Sequence, residues 1–107
     1  MQTIGSKQPW EAFRQPFDFE GFLGADETIN SIYEVVVESL DSDGAVDEDV
    51  SSTMADVTKN TISSDAYTAN IWIQGGTDGI LYKITCRIIG TLGSQYELEC
   101  ILPVKEV

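Results

Sequence analysis

Two runs of strict apolar–polar alternation stand a short turn apart near the end of the chain. In the first, Tyr82, Ile84, Cys86 and Ile88 fall on one side and Lys83, Thr85 and Arg87 on the other. In the second, Tyr96, Leu98, Cys100, Leu102 and Val104 share a side. Period two is the repeat of a half-buried β-strand. The intervening Gly90-Thr91-Leu92-Gly93-Ser94 is a turn, so the two runs read as a β-hairpin closing an all-β sandwich. A second turn, Gly75-Gly76-Thr77-Asp78-Gly79, feeds the first run.

The rest of the chain fits that frame. Ala66 to Gln74 alternates, with Tyr67, Ala69, Ile71 and Ile73 against Thr68, Asn70, Trp72 and Gln74. Thr28 to Ser39 is rich in β-branched residues and reads as a strand. It places Ile29, Ser31, Tyr33, Val35 and Val37 on one face, and Ile32 and Val36 on the other beside Asn30, Glu34 and Glu38. Pro9 to Phe19 is aromatic and extended, and its two prolines leave it an edge strand or an unpaired extended segment. Phe22 and Leu23 sit in the following turn as a plug for the sandwich. Leu40 to Asp49 reads as an acidic loop. Val50 to Lys59 fits either a short strand or a loop with one helical turn, and Thr58 to Ile62 fits a short strand. The expected architecture is an antiparallel β-sandwich of about seven strands. Residues 1–19 form an extended N-terminal arm and edge segment, and residues 20–107 the sandwich domain.

Tyr82 follows a turn and opens a strand, as does the corner tyrosine of immunoglobulin-like sandwiches, whose hydroxyl bonds to the upstream backbone. It stands four residues before Cys86 rather than two, and no upstream cysteine has inter-sheet spacing. Gly75, Gly76, Gly79 and Tyr82 are therefore expected as a structural turn and corner. Cys86 and Cys100 lie on adjacent strands with Gly93 midway between them, and are expected as inward core thiols nearly opposite each other. A cross-strand disulfide stays open as the alternative.

Charge narrows the function. The 107 residues carry 18 acids against 6 bases and no histidine, for a net charge of −12. Such a balance opposes phosphate backbones and anionic membranes, and suits docking to a basic or mixed protein surface. Lack of histidine removes the commonest general base and metal ligand. No apolar leader opens the chain, so synthesis and retention in a cytoplasm are expected. The acidic residues Asp41, Asp43, Asp47, Glu48 and Asp49 lack EF-hand spacing, and a solvated acidic loop accounts for them. The glycine-rich turn has no following helix and no Lys-Ser or Lys-Thr, so it is no phosphate loop. Enzymatic activity, cofactors and metals are not expected. Trp10, Phe13, Phe17, Trp72, Ile32 and Val36 fall on the arm or on outward faces and are candidate interface residues.

The passage Ile71-Trp72-Ile73-Gln74-Gly75-Gly76-Thr77-Asp78-Gly79-Ile80-Leu81-Tyr82-Lys83-Ile84-Thr85-Cys86 resembles a family of small virion proteins from tailed bacteriophages and prophages. The ending Leu102-Pro103-Val104-Lys105-Glu106-Val107 and the beginning Asp18-Phe19-Glu20-Gly21-Phe22-Leu23 agree in outline. Asp26-Glu27 stands where the family usually has Gly-Asp, and residues 40–59 have no clear counterpart. The resemblance implies an immunoglobulin-like sandwich acting as a fiber–tail adaptor, without catalysis. Implied partners are other virion proteins of the tail, neck or fiber, engaged in several symmetric copies, with no nucleic acid and no membrane. The implied location is the virion, after synthesis in the host bacterial cytoplasm. Two other readings remain: a capsid decoration or head–neck component, and a carbohydrate-binding or calcium-stabilised adhesion module.

Overall fold

Alternating apolar residues are realised as strands in two facing sheets, in a computed structural model that describes residues 2–3 and 5–106. Among these residues the strands are β1 (Gln2–Thr3), β2 (Phe13–Asp18), β3 (Ile29–Leu40), β4 (Val46–Asp49), β5 (Thr61–Ile62), β6 (Thr68–Ile73), β7 (Leu81–Gly90) and β8 (Gln95–Pro103). The larger sheet has the order β1-β8-β7-β3-β4, and the smaller has the order β2-β6-β5. All neighbours are antiparallel except β1, which runs parallel to β8. The protein is an all-β sandwich.

The core lies between the sheets. Ile84, Cys86 and Ile88 from β7 meet Ala69, Ile71 and Ile73 from β6, and Phe17 and Phe19 close it from the β2 side. Phe19, Val37, Ile71, Ile73, Ile84 and Leu102 are wholly buried. Each such side chain contributes about 1.5–3 kcal/mol by leaving water.

Edge position suits β2. Phe17 pairs with Ala69, and the Phe19 amide donates to Tyr67 O at 2.9 Å, so odd-numbered amides of this segment face β6. The nitrogen of Pro16 then faces outward, where its missing hydrogen costs no sheet bond. The N-terminal segment is tied down as well. Gln2 and Thr3 pair with Cys100 and Ile101, and Lys7 bridges to Val104. Met1, Ile4 and Val107 lie outside the described residues, so the expected arm is described only from within.

Three sequence expectations are corrected. First, β3 does not alternate cleanly. Its pairing with β7 shifts between Ile29 and Ser31 and again between Ile32 and Glu34. Each irregularity inserts one residue, so parity breaks between them and is restored afterwards. Tyr33, expected inward, is exposed, and Ile32, expected outward, packs against the core. Second, half of the acidic loop is strand. A turn at Asp41–Ala45 leads into β4, whose four residues are all exposed. Third, Cys86 pairs with Leu98 and Cys100 with Ile84, which centres the hairpin on Leu92 rather than Gly93. The cysteines are diagonal neighbours, and diagonal side chains lie about 7–8 Å apart, beyond disulfide reach. Both are free and buried.

The segment left open between strand and helical turn holds α1 (Ser51–Met54) and a single 3-10 turn at Val57–Lys59. Together they carry the chain from the larger sheet to the smaller. Met54 drops into the core, and its carbonyl accepts from the Gln74 amide at 2.9 Å.

Candidate partner-binding surface

The turn before β7 is built for one geometry. Gly75, Gly76 and Gly79 have φ values of +65, +99 and +85, a region side chains rarely occupy. A Cβ on Gly76 would stand 2.8 Å from Val104 Cγ2. The buried Tyr82 hydroxyl accepts from the Thr77 amide at 2.8 Å and ties the turn to β7. Tyr82 is buried and the three glycines carry no side chain, so what these four residues contribute is the shape of the turn.

Burial governs the two thiols. It pushes Cys86 up to about 12, with the neighbouring Cys100 adding to the effect, and pushes Cys100 up to about 11. Neither is a nucleophile at neutral pH, since the thiolate is the reactive form. The acidic turn is likewise occupied with itself. Asp41 Oδ1 accepts from the amides of Asp43 and Ala45 at 2.9 and 3.0 Å. Among the described residues no three metal-ligating side chains gather.

The structure separates the candidate interface residues. Phe17 lies in the core and presents no free surface, while Ile32 is half-buried, packing against the core and lining a shallow groove with Tyr33 and Val57. Phe13 is half-buried at the start of β2. Val36 is half-buried on the outer face of the larger sheet, paired with the buried Thr85. Charged pairs flank that face: Lys83 with Glu38, and Arg87 with both Glu34 and Glu97. Trp72 is half-buried on the outer face of the smaller sheet. The Lys59 ammonium lies 4.6 Å and the Arg14 guanidinium 5.5 Å from its ring. Its indole N–H donates to Gln74 Oε1 at 3.0 Å. Trp10 is different, being 94% exposed.

Sequence reading missed two features near these residues. Lys7 is fully buried, and its ammonium donates to Gly75 O at 2.6 Å, Gln8 O at 2.7 Å and Pro9 O at 3.3 Å. A lysine in a polar segment reads as solvated, so no sequence signal marks it. The second is an apolar group at the far end of the molecule. Phe22, expected with Leu23 as a plug, is instead exposed there beside Tyr33 and Leu92, and it packs on Tyr96 with ring centroids 6.2 Å apart. Tyr33, Ile89, Arg87 and Tyr96 line a shallow groove of about 300 Å³. The β3 irregularities that expose Tyr33 leave no mark in composition.

Trp10 and this group occupy opposite ends. Lys7, Gly75 and Val104 sit where β7 begins, and Leu92 sits where it ends, in a body 42 Å long. The small all-β sandwich thus exposes aromatic side chains at both ends. The chain belongs to the family described as podophage GP4 fiber-tail adaptor protein gp77, whose sequence model matches residues 7–103. It is thus a member of a phage structural adaptor family. No curated protein and no solved structure matches it. Among the described residues no helix is long and apolar enough to cross a membrane.

Proposed function

We propose that this protein is a non-enzymatic virion component that joins fiber or peripheral proteins to the phage tail through protein–protein contacts. Membership of the fiber-tail adaptor family carries the reading. The distribution of exposed apolar residues supports it, because an adaptor must hold two partners at once. Trp10 at one end and Phe22, Tyr33 and Leu92 at the other supply two separated surfaces. Large exposed apolar side chains of this kind are the usual anchors of protein interfaces.

The sandwich fits the immunoglobulin-like type. In chain order β2 to β8 correspond to strands B, C, C′, D, E, F and G, giving B-E-D against G-F-C-C′. Tyr82 on β7 then takes the place of the corner tyrosine. Several symmetric copies of the chain per particle would suit this role, as most homo-oligomers are symmetric. The charge of −12 keeps free copies apart before assembly.

The reading is tested on particles assembled with and without the chain. Particles lacking it should form but carry no fibers, and a reconstruction should place it between tail and fiber. Normal fiber content without the chain, or density for it on the capsid, would overturn the adaptor role.

A further inference from the structure

We infer that the turn Gln8–Glu11 is a preorganised knob that inserts Trp10 into an apolar pocket on a partner protein, with Lys7 as the residue that positions it. This rests on the adaptor reading and names the anchor at one of its two surfaces. Pro9 and Trp10 are the central residues of a β-turn closed by the Glu11 amide donating to Gln8 O at 3.1 Å. Glu11 Oε1 accepts from the Gln8 amide at 2.7 Å and closes the turn a second time. From behind, the buried Lys7 ammonium holds the carbonyls of both Gln8 and Pro9 and fastens them to Gly75 O. Burying an ammonium is costly unless hydrogen bonds compensate it.

The side chain so presented makes no use of this framework within the chain. Trp10 is 94% exposed, while Trp72, the other tryptophan, is half-buried against Arg14 and Lys59. Fixing a large exposed aromatic in advance lowers the ordering cost of binding. Charge selects the occupant. Copies of a chain at −12 repel one another, as do anionic lipids, so the pocket belongs to a different protein with a neutral or basic rim. Its chemistry is an apolar slot with an acceptor for the indole N–H.

The test adds purified chain to particles assembled without it. Trp10→Ala should keep the wild-type melting temperature and lose at least about tenfold in particle binding. Time-resolved anisotropy in a Trp72→Phe background reads the positioning directly. Trp10 should tumble with the whole protein, and Lys7→Met should add a fast local decay. Glu11→Ala loosens the same turn without touching the buried ammonium, so it serves if Lys7→Met fails to fold. Both should bind particles more weakly than wild type and better than Trp10→Ala. Wild-type binding by Trp10→Ala, fast local motion of Trp10 in the parent, or a Trp10-dependent dimer or vesicle complex would each overturn the inference. Wild-type protein that ignores the particles refutes the adaptor reading itself, and this inference with it.

Discussion

The hydroxyl of Tyr82 reaches back five residues to accept the amide hydrogen of Thr77 at 2.8 Å. Tyr82 is 4% exposed whereas Thr77 lies at the surface, so the bond is partly buried. Tyr82→Phe keeps the ring and strands the Thr77 amide. Losing a partly buried hydrogen bond of this kind costs about 0.5–1.5 kcal/mol. In a domain near this size each kcal/mol lowers the melting temperature by about 4–8 °C. A thermal melt checks this, and an unchanged midpoint would show that the corner does not hold the turn.

Gly76 gives a second prediction at the same corner. Its φ is +99, and an added Cβ would also press to 3.2 Å from Met54 Cε. Backbone strain and overpacking act together, so Gly76→Ala should cost about 2–4 kcal/mol. Gly75 has φ +65 and open space around its Cβ position, so Gly75→Ala should cost only about 1–2 kcal/mol. Urea denaturation of both variants measures the difference. Equal costs would mean that contact with Val104 plays no part.

Truncation separates the N-terminal segment into two parts. Removing residues 1–5 takes away the two paired residues of β1 and leaves Lys7 in place. The product should fold and unfold cooperatively. Removing residues 1–19 also removes Phe17 and Phe19, which are 5% and 0% exposed. Loss of each buried Phe costs about 3–5 kcal/mol, against a typical total stability of about 5–15 kcal/mol. That truncation should be unfolded by circular dichroism. A cooperative melt from it would show that the smaller sheet does not need β2.

Legibility followed the local physics. The strands β6, β7 and β8 were readable because alternation, turn glycines and burial all point the same way from Ala69 to Leu102. Pro16 marked β2 as an edge for the same kind of local reason. What escaped depends on partners distant in sequence. The two irregularities in β3 are set against β7 more than fifty residues later, and they decide whether Ile32 or Tyr33 faces solvent. Lys7 is buried because Gly75, 68 residues on, offers a carbonyl. Trp10 was visible as a candidate anchor, but the framework that holds it was not.

The two cysteines carry the last prediction, which concerns alkaline pH. In the unfolded chain a thiol titrates near 9.0, whereas burial raises Cys86 to about 12 and Cys100 to about 11. Above pH 9 the unfolded chain therefore loses protons that the folded chain keeps. Stability from these groups is fully present below pH 9 and falls as pH rises through 9 toward 12. Cys86→Ala/Cys100→Ala should be less stable at pH 7, because two buried side chains are truncated. Yet its stability should fall less steeply with pH between about 9 and 10.5 than that of the parent, and comparing the two slopes cancels the titration of lysines and tyrosines. A thiol reagent gives an independent check at pH 8. It should label both cysteines in urea and neither in the native protein, and rapid native labelling would show that the β7–β8 core opens far more readily than its burial implies.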